Sequence, residues 1–142
     1  MVFLKWIAVV MWAKLIYYFS SVPGLKMGLG FWDFFVRKSA HVFEFAYLTA
    51  LLYLALESSA RLSRAKSAFG GMKLRTLVLL SAVPAFLYAA GDEFHQSYVM
   101  NRHGCAGDVA VDAVGIFIVC YLILRTEFFP RESGILRGGK LK

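Results

Sequence analysis

The sequence predicts an all-α integral membrane protein: a bundle of four transmembrane helices with both termini in the cytoplasm and a polar pocket at the outer face. Three observations predict it. The 142 residues are 59% hydrophobic and 18% charged, with a mean hydropathy of +0.61, whereas a soluble domain carries about 25% charged residues. The apolar residues gather into four runs near the ~20 residues that a helix needs to cross a bilayer. Between the last two runs lies Asp92–Gly115, DEFHQSYVMNRHGCAGDVAVDAVG, which is dense in ionisable groups. A charge at the bilayer centre costs about 2.5–3.5 kcal/mol on insertion scales, so such groups face a protein interior or a cavity and mark function.

The first run, residues 3–22, is longer than a signal-peptide core, and further spans follow it, so it reads as an uncleaved helix. Lys14 lies near its middle. It either snorkels to an interface or serves as a counter-ion for buried carboxylates. Residues 20–39 hold Pro23, Gly24, Gly28 and Gly30 and then Phe31, Trp32, Phe34 and Phe35. These predict a loop with an interfacial aromatic segment at headgroup level. The second span, about residues 40–57, brings His41 and Glu44 in its first turns. Residues 58–75 carry five basic and no acidic residues with the Gly70–Gly71 pair, and are expected to form a flexible loop.

The third span, about residues 76–96, contains Pro84, which deletes a helical hydrogen bond and predicts a kink. Its polar residues come only in the last turn. A short loop at residues 97–107 includes Arg102 and His103. The fourth span, about residues 108–125, opens with Asp108 and Asp112 and ends at Arg125. Residues 1–125 therefore form one transmembrane domain, and residues 126–142 a basic cytoplasmic tail. Cys105 and Cys120 make no disulfide framework. A helix from Asp108 carries Cys120 about 18 Å from the loop at 1.5 Å per residue, so both are expected to be free.

Orientation follows from basic residues in the loops. Eleven Lys/Arg fall on the side shared by the N-terminus, the 58–75 loop and the tail, against Lys26, Arg37, Lys38 and Arg102 on the other. The start of span two, the end of span three and the start of span four then meet at the outer face. The net charge of +7 is read as loop charge at an anionic membrane. No basic stretch interleaved with aromatics suits a nucleic acid, so the partner is the lipid bilayer and nucleic acid is excluded.

Helical spacing sorts the polar groups into stripes. Lys38 and His41 share one with Glu44 beside them; Tyr88, Asp92, His95 and Gln96 share a second, with Glu93 about 100° round; Asp108, Asp112 and Gly115 share a third. The candidate acid–base set is His41, Asp92, Glu93, His95, Asp108 and Asp112, since a carboxylate pair or a carboxylate-held imidazole titrates near neutrality. Lys38, Glu44, Gln96 and Arg102 are candidates for substrate binding. The same geometry suits a divalent metal between helices, with His41, Glu44, Asp92, His95, Asp108 and Asp112 as the alternative ligand set. A purely structural polar network remains a third reading. Ser20, Ser21 and Ser39 sit in no nucleophile elbow, and HExxH, phosphate-loop and dinucleotide fingerprints are absent. Whether the chain is an enzyme stays open.

These residues resemble the VanZ-like membrane proteins. The likeness rests on RKSAHVFEFAYL (Arg37–Leu48), on the Asp92–Gly115 stretch, similar to the family's Asp-Glu-x-x-Gln, Arg and Asp-to-Gly pattern, and on FSSVPG at Phe19–Gly24. It covers roughly residues 17–120. Its motif positions fall on Lys38, His41, Asp92, Glu93, Gln96, Arg102, Asp108 and Gly115. Met100–Asn101 stands where many members carry Pro-Gly, and Asp112 where members have Asn or Asp. The resemblance implies a multi-pass protein of the bacterial cytoplasmic membrane, in a family whose founding member is associated with resistance to the glycopeptide teicoplanin. The expected ligand is an envelope amphiphile or glycopeptide-like molecule. The alternatives are a membrane hydrolase or transferase acting on a lipid-linked substrate, and an accessory subunit.

Overall fold

The computed structural model describes residues 2–23, 30–66, 72–102 and 104–126. They form four helices: α1 (Val2–Ser21), α2 (Trp32–Lys66), α3 (Leu74–Gln96) and α4 (Ala106–Thr126). All four are long and apolar enough to cross a membrane. Spans one, three and four lie within about two residues of their expected limits, and α3 is assigned as one helix through Pro84. His103, the Gly70–Gly71 pair and the tail beyond residue 126 lie outside the described residues.

α2 corrects the expected loops on both of its sides. At 35 residues it is about 52 Å long at 1.5 Å per residue. The aromatic segment from Trp32 and the serine-rich stretch to Lys66 are helix. No glycine or proline interrupts Phe31–Lys66, and Asp33 in the first turn suits the positive end of the helix dipole. Ser58 and Ser59 turn their hydroxyls back onto the Leu54 and Ala55 carbonyls at 2.7 and 2.8 Å, which lets serine stay inside a helix. Arg61 pairs with Glu57 one turn back at 2.8 Å.

The bundle is apolar outside, as a lipid-facing surface must be. Phe3, Leu79, Leu87 and Phe117 are exposed, while the interior holds Ile16, Phe45, Ala55, Ala85, Ala89, Thr49 and Ser81. Lipid is as apolar as leucine, so small residues that allow close packing and interhelical hydrogen bonds associate such helices. The Trp12 indole N–H donates to the Glu44 carbonyl at 2.9 Å and the Tyr88 hydroxyl to the Ala13 carbonyl at 2.7 Å. At the far end Lys5 donates to Ser58 and Trp6 to Ser59 at 3.1 Å. Lys14 is exposed on α1 and pairs with no described carboxylate. The tightest approach is between α2 and α4. A Cβ on Gly115 would overlap the Val42 carbonyl oxygen and lie 3.1 Å from the Ala46 nitrogen.

Candidate functional site

The up-and-down order brings four helix ends together: the last turn of α1, the first half of α2, the last turns of α3 and the start of α4. Ser20 on α1 donates to Asp92 Oδ2 at 2.8 Å, and Gln96 donates to the same oxygen at 2.7 Å from one turn along α3. Arg102 closes this network from the α3–α4 loop. Its Nη1 donates to Gln96 Oε1 at 3.2 Å, while Nε and Nη2 donate to the Val22 and Phe19 carbonyls at 3.1 and 2.7 Å. Those carbonyls lie at and just past the end of α1, where a helix leaves acceptors short of donors; the Phe19 carbonyl also takes the Val22 N–H at 3.3 Å. Burial lowers the pKa of Arg102 and the nearby Asp92 raises it; a guanidinium stays charged throughout.

The turn before Arg102 explains how Met100–Asn101 can stand where the resemblance expects Pro-Gly. Asn101 has φ +61°, a left-handed conformation that costs most residues 1–2 kcal/mol and that asparagine tolerates next best to glycine. Asn101 thus occupies the position where many members have glycine, and the turn forms, with the Arg102 N–H on the Val99 carbonyl at 3.1 Å. Gly104 is required for a different reason. A Cβ there would strike the Glu93 carbonyl oxygen, and next to it the Cys105 N–H donates to Glu93 Oε2 at 3.2 Å.

α2 and α4 supply the other half. Lys38 forms an ion pair with Asp108, and His41 Nδ1 lies 3.3 Å from Asp112 Oδ1. That second contact is within ion-pair range but off hydrogen-bond alignment, so both Asp112 oxygens are buried without a hydrogen-bond partner. Asp112 is 1% exposed. A buried carboxylate in that condition is costly, which singles it out. His41, Asp92 and Glu93 each offer a ligand atom, and the three atoms lie within 4.8 Å of one another. Among the described residues this is the group able to hold a metal. Glu44, His95, Asp108 and Asp112 stand outside it.

Two cavities open here. One, of about 190 Å³, is lined by Phe19, Ser20, Arg37, Ala40, His41, Glu44 and Arg102. The other, of about 380 Å³, is lined by Phe34, Arg37, Lys38, His41, Glu93, Gln96, Asn101, Arg102 and Asp108. His95 lines neither. It faces Ser21 Oγ at 3.1 Å and the Tyr17 ring at 4.7 Å. Sequence reasoning missed two residues. Ser20 was weighed only as a nucleophile, although it stands in the FSSVPG stretch at the end of the first apolar run. Arg37 entered only the count of basic residues on the outer side, although it lies one turn before His41.

Ser20→Ala removes a buried donor to a charged acceptor, worth about 1.5–3 kcal/mol. It is expected to lower the melting temperature in detergent while the helix content by circular dichroism stays unchanged.

No curated protein and no solved structure matches the chain. The VanZ/LLP1 family model matches residues 2–128, a span that takes in all four helices and every residue of the polar end. The chain belongs to the VanZ/LLP1 family.

Proposed function

We propose that the chain is a bacterial inner-membrane protein whose polar end faces outward and binds the head of an anionic envelope amphiphile at the bilayer–water boundary. One observation carries this reading: the smaller cavity holds Arg37 and Glu44, and neither has a side-chain partner among the described residues. Arg37, His41 and Glu44 occupy positions i, i+4 and i+7 of α2 and so share a face. Phe19 and Ala40 give the same cavity an apolar wall. Arg37 suits a phosphate or carboxylate, which its guanidinium grips through two parallel hydrogen bonds. Glu44 and His41, deeper along α2, suit a hydroxyl or amine between head and tail. Lys38 is committed to Asp108 and Arg102 to the end of α1, so Arg37 replaces them as the principal anion contact, with Arg102 supporting it from the cavity wall. The excess of basic residues on the opposite side supports the outward orientation.

The test is a titration of the purified protein with a monoacylglycerol phosphate, reading the melting temperature, with the matching monoacylglycerol as the uncharged control. The phosphate form should stabilise the fold by about 2.7 kcal/mol at 100 times its Kd, and the control should not. Arg37→Ala and Glu44→Gln should keep the basal melting temperature and lose the shift. Equal shifts in wild type and both variants, or none in wild type, would sink the reading. Teicoplanin in the same titration tests the glycopeptide ligand that family membership suggests. A second reading, a hydrolase or transferase acting on a lipid-linked substrate, is favoured by one feature: His41 faces the cavity with Asp112 behind it, as a base held by a carboxylate. Asp112→Asn should then abolish turnover in folded protein.

A further inference from the structure

The geometry points to a divalent-metal centre at the polar end, with His41, Asp92 and Glu93 as ligands and Asp112 as the positioning residue behind His41. This goes beyond amphiphile binding and does not depend on it.

Both carboxylates are already held from behind by hydrogen bonds, as metal ligands are, and the imidazole has a carboxylate behind it. Asp92 Oδ2 is held by Ser20 and Gln96, which leaves Oδ1 for the ion. Glu93 Oε2 is held by the Cys105 N–H, which leaves Oε1. His41 turns Nδ1 to Asp112, which leaves Nε2. The free atoms come from two helices, so the ion would tie α2 to α3 at a place where no direct hydrogen bond between these three residues does so. Each of the three residues already brings one ligand atom within 4.8 Å of the other two, so side-chain adjustments of about 1 Å reach metal bonds of roughly 2.0–2.2 Å.

The charge arithmetic favours a dication. Around the cavities Lys38 is neutralised by Asp108. Glu44, Asp92, Glu93 and Asp112 then stand against the guanidiniums of Arg37 and Arg102, two carboxylates in excess. Asp112 supplies the independent sign: it is 1% exposed, has no hydrogen-bond partner and is aimed at the imidazole. A cation on Nε2 makes Nδ1–H a stronger donor and gives that carboxylate the partner it lacks. One nitrogen and two carboxylate oxygens suit zinc or manganese, with positions left for water or substrate. The larger cavity reaches His41 and Glu93 and provides the entry path.

The experiment strips the full-length protein in detergent with chelator, reloads it with Zn2+ or Mn2+, and measures ions per chain by mass spectrometry and affinity by calorimetry. About one ion per chain is expected, lost in His41→Ala and Glu93→Gln, and bound about 10–100-fold more weakly in Asp112→Asn. Metal-free Asp112→Asn should melt no lower than metal-free wild type, because it removes an unpaired buried charge; a merely structural aspartate would lower it. Should the ligand variants fail to fold, X-ray absorption on loaded wild type decides, with one imidazole expected in the first shell. Folded wild type that takes up no stoichiometric ion, or a bound ion without imidazole scattering, overturns the proposal. Amphiphile titrations on stripped and loaded protein read the other hypothesis separately.

Discussion

Arg102→Ala is expected to cost the protein most of its stability in detergent. The substitution bares the Val22 carbonyl and Gln96 Oε1, at about 1–3 kcal/mol for each acceptor left without a partner, and leaves the Phe19 carbonyl only the Val22 N–H at 3.3 Å. It also releases the end of α1 from the α3–α4 loop, and through Gln96 it loosens Asp92. Arg102→Lys keeps the charge but not the fork that reaches three acceptors at once, so an intermediate loss is expected. Thermal melts followed by tryptophan fluorescence would rank wild type above Arg102→Lys and that above Arg102→Ala. If the lysine variant melts with wild type, the guanidinium fork is not what holds the two segments together.

Gly115→Val is expected to prevent assembly altogether, and Gly115→Ala to weaken it. Even a single methyl would overlap the Val42 carbonyl and crowd the Ala46 nitrogen. These are backbone atoms of a helix interior and cannot move aside, unlike the tip of a flexible side chain. Overpacking of this kind costs about 1–3 kcal/mol and at times more, and two branched methyls on top of that Cβ leave no room for relaxation. The effect should propagate, since the Lys38–Asp108 and His41–Asp112 contacts span the same α2–α4 interface. Size-exclusion profiles and melting temperatures would record it. A Gly115→Ala variant with an unchanged melt would mean that α2 and α4 do not approach this closely in detergent.

The four spans were legible because each is a long apolar run, the strongest signal a membrane sequence offers. The ends of α2 were not. Aromatics at Phe31–Phe35 read as an interfacial segment, and serines with basic residues after Glu57 read as a loop, because composition does not register hydroxyls folded back onto their own helix. The polar end was legible from three- and four-residue spacing, which put Asp92 on one stripe with Gln96, and from the order of the spans, which brought His41 and the α4 carboxylates to the same face. Spacing along one helix could not assign the partners across helices. Glu93, about 100° round from Asp92's stripe yet beside His41 in space, and His95, turned to Ser21 and Tyr17, depend on how α3 is rotated against its neighbours. That rotation is set by packing against small residues such as Ala85 and Ala89.

The length of α2 has a bearing on how a ligand arrives. A helix of 35 residues, about 52 Å, exceeds a hydrocarbon layer of ~30 Å by more than a tilt of 40° can absorb, so it projects from the bilayer. With its midpoint at the bilayer centre, Arg37 would stand about 3–4 Å outside the hydrocarbon edge, His41 about 2–3 Å inside and Glu44 about 7 Å inside. Such a site is open to traffic travelling in the plane of the leaflet. Its occupancy would follow the mole fraction of ligand among the surrounding lipids rather than its concentration in water, and a molecule with no measurable solubility could saturate it by two-dimensional diffusion.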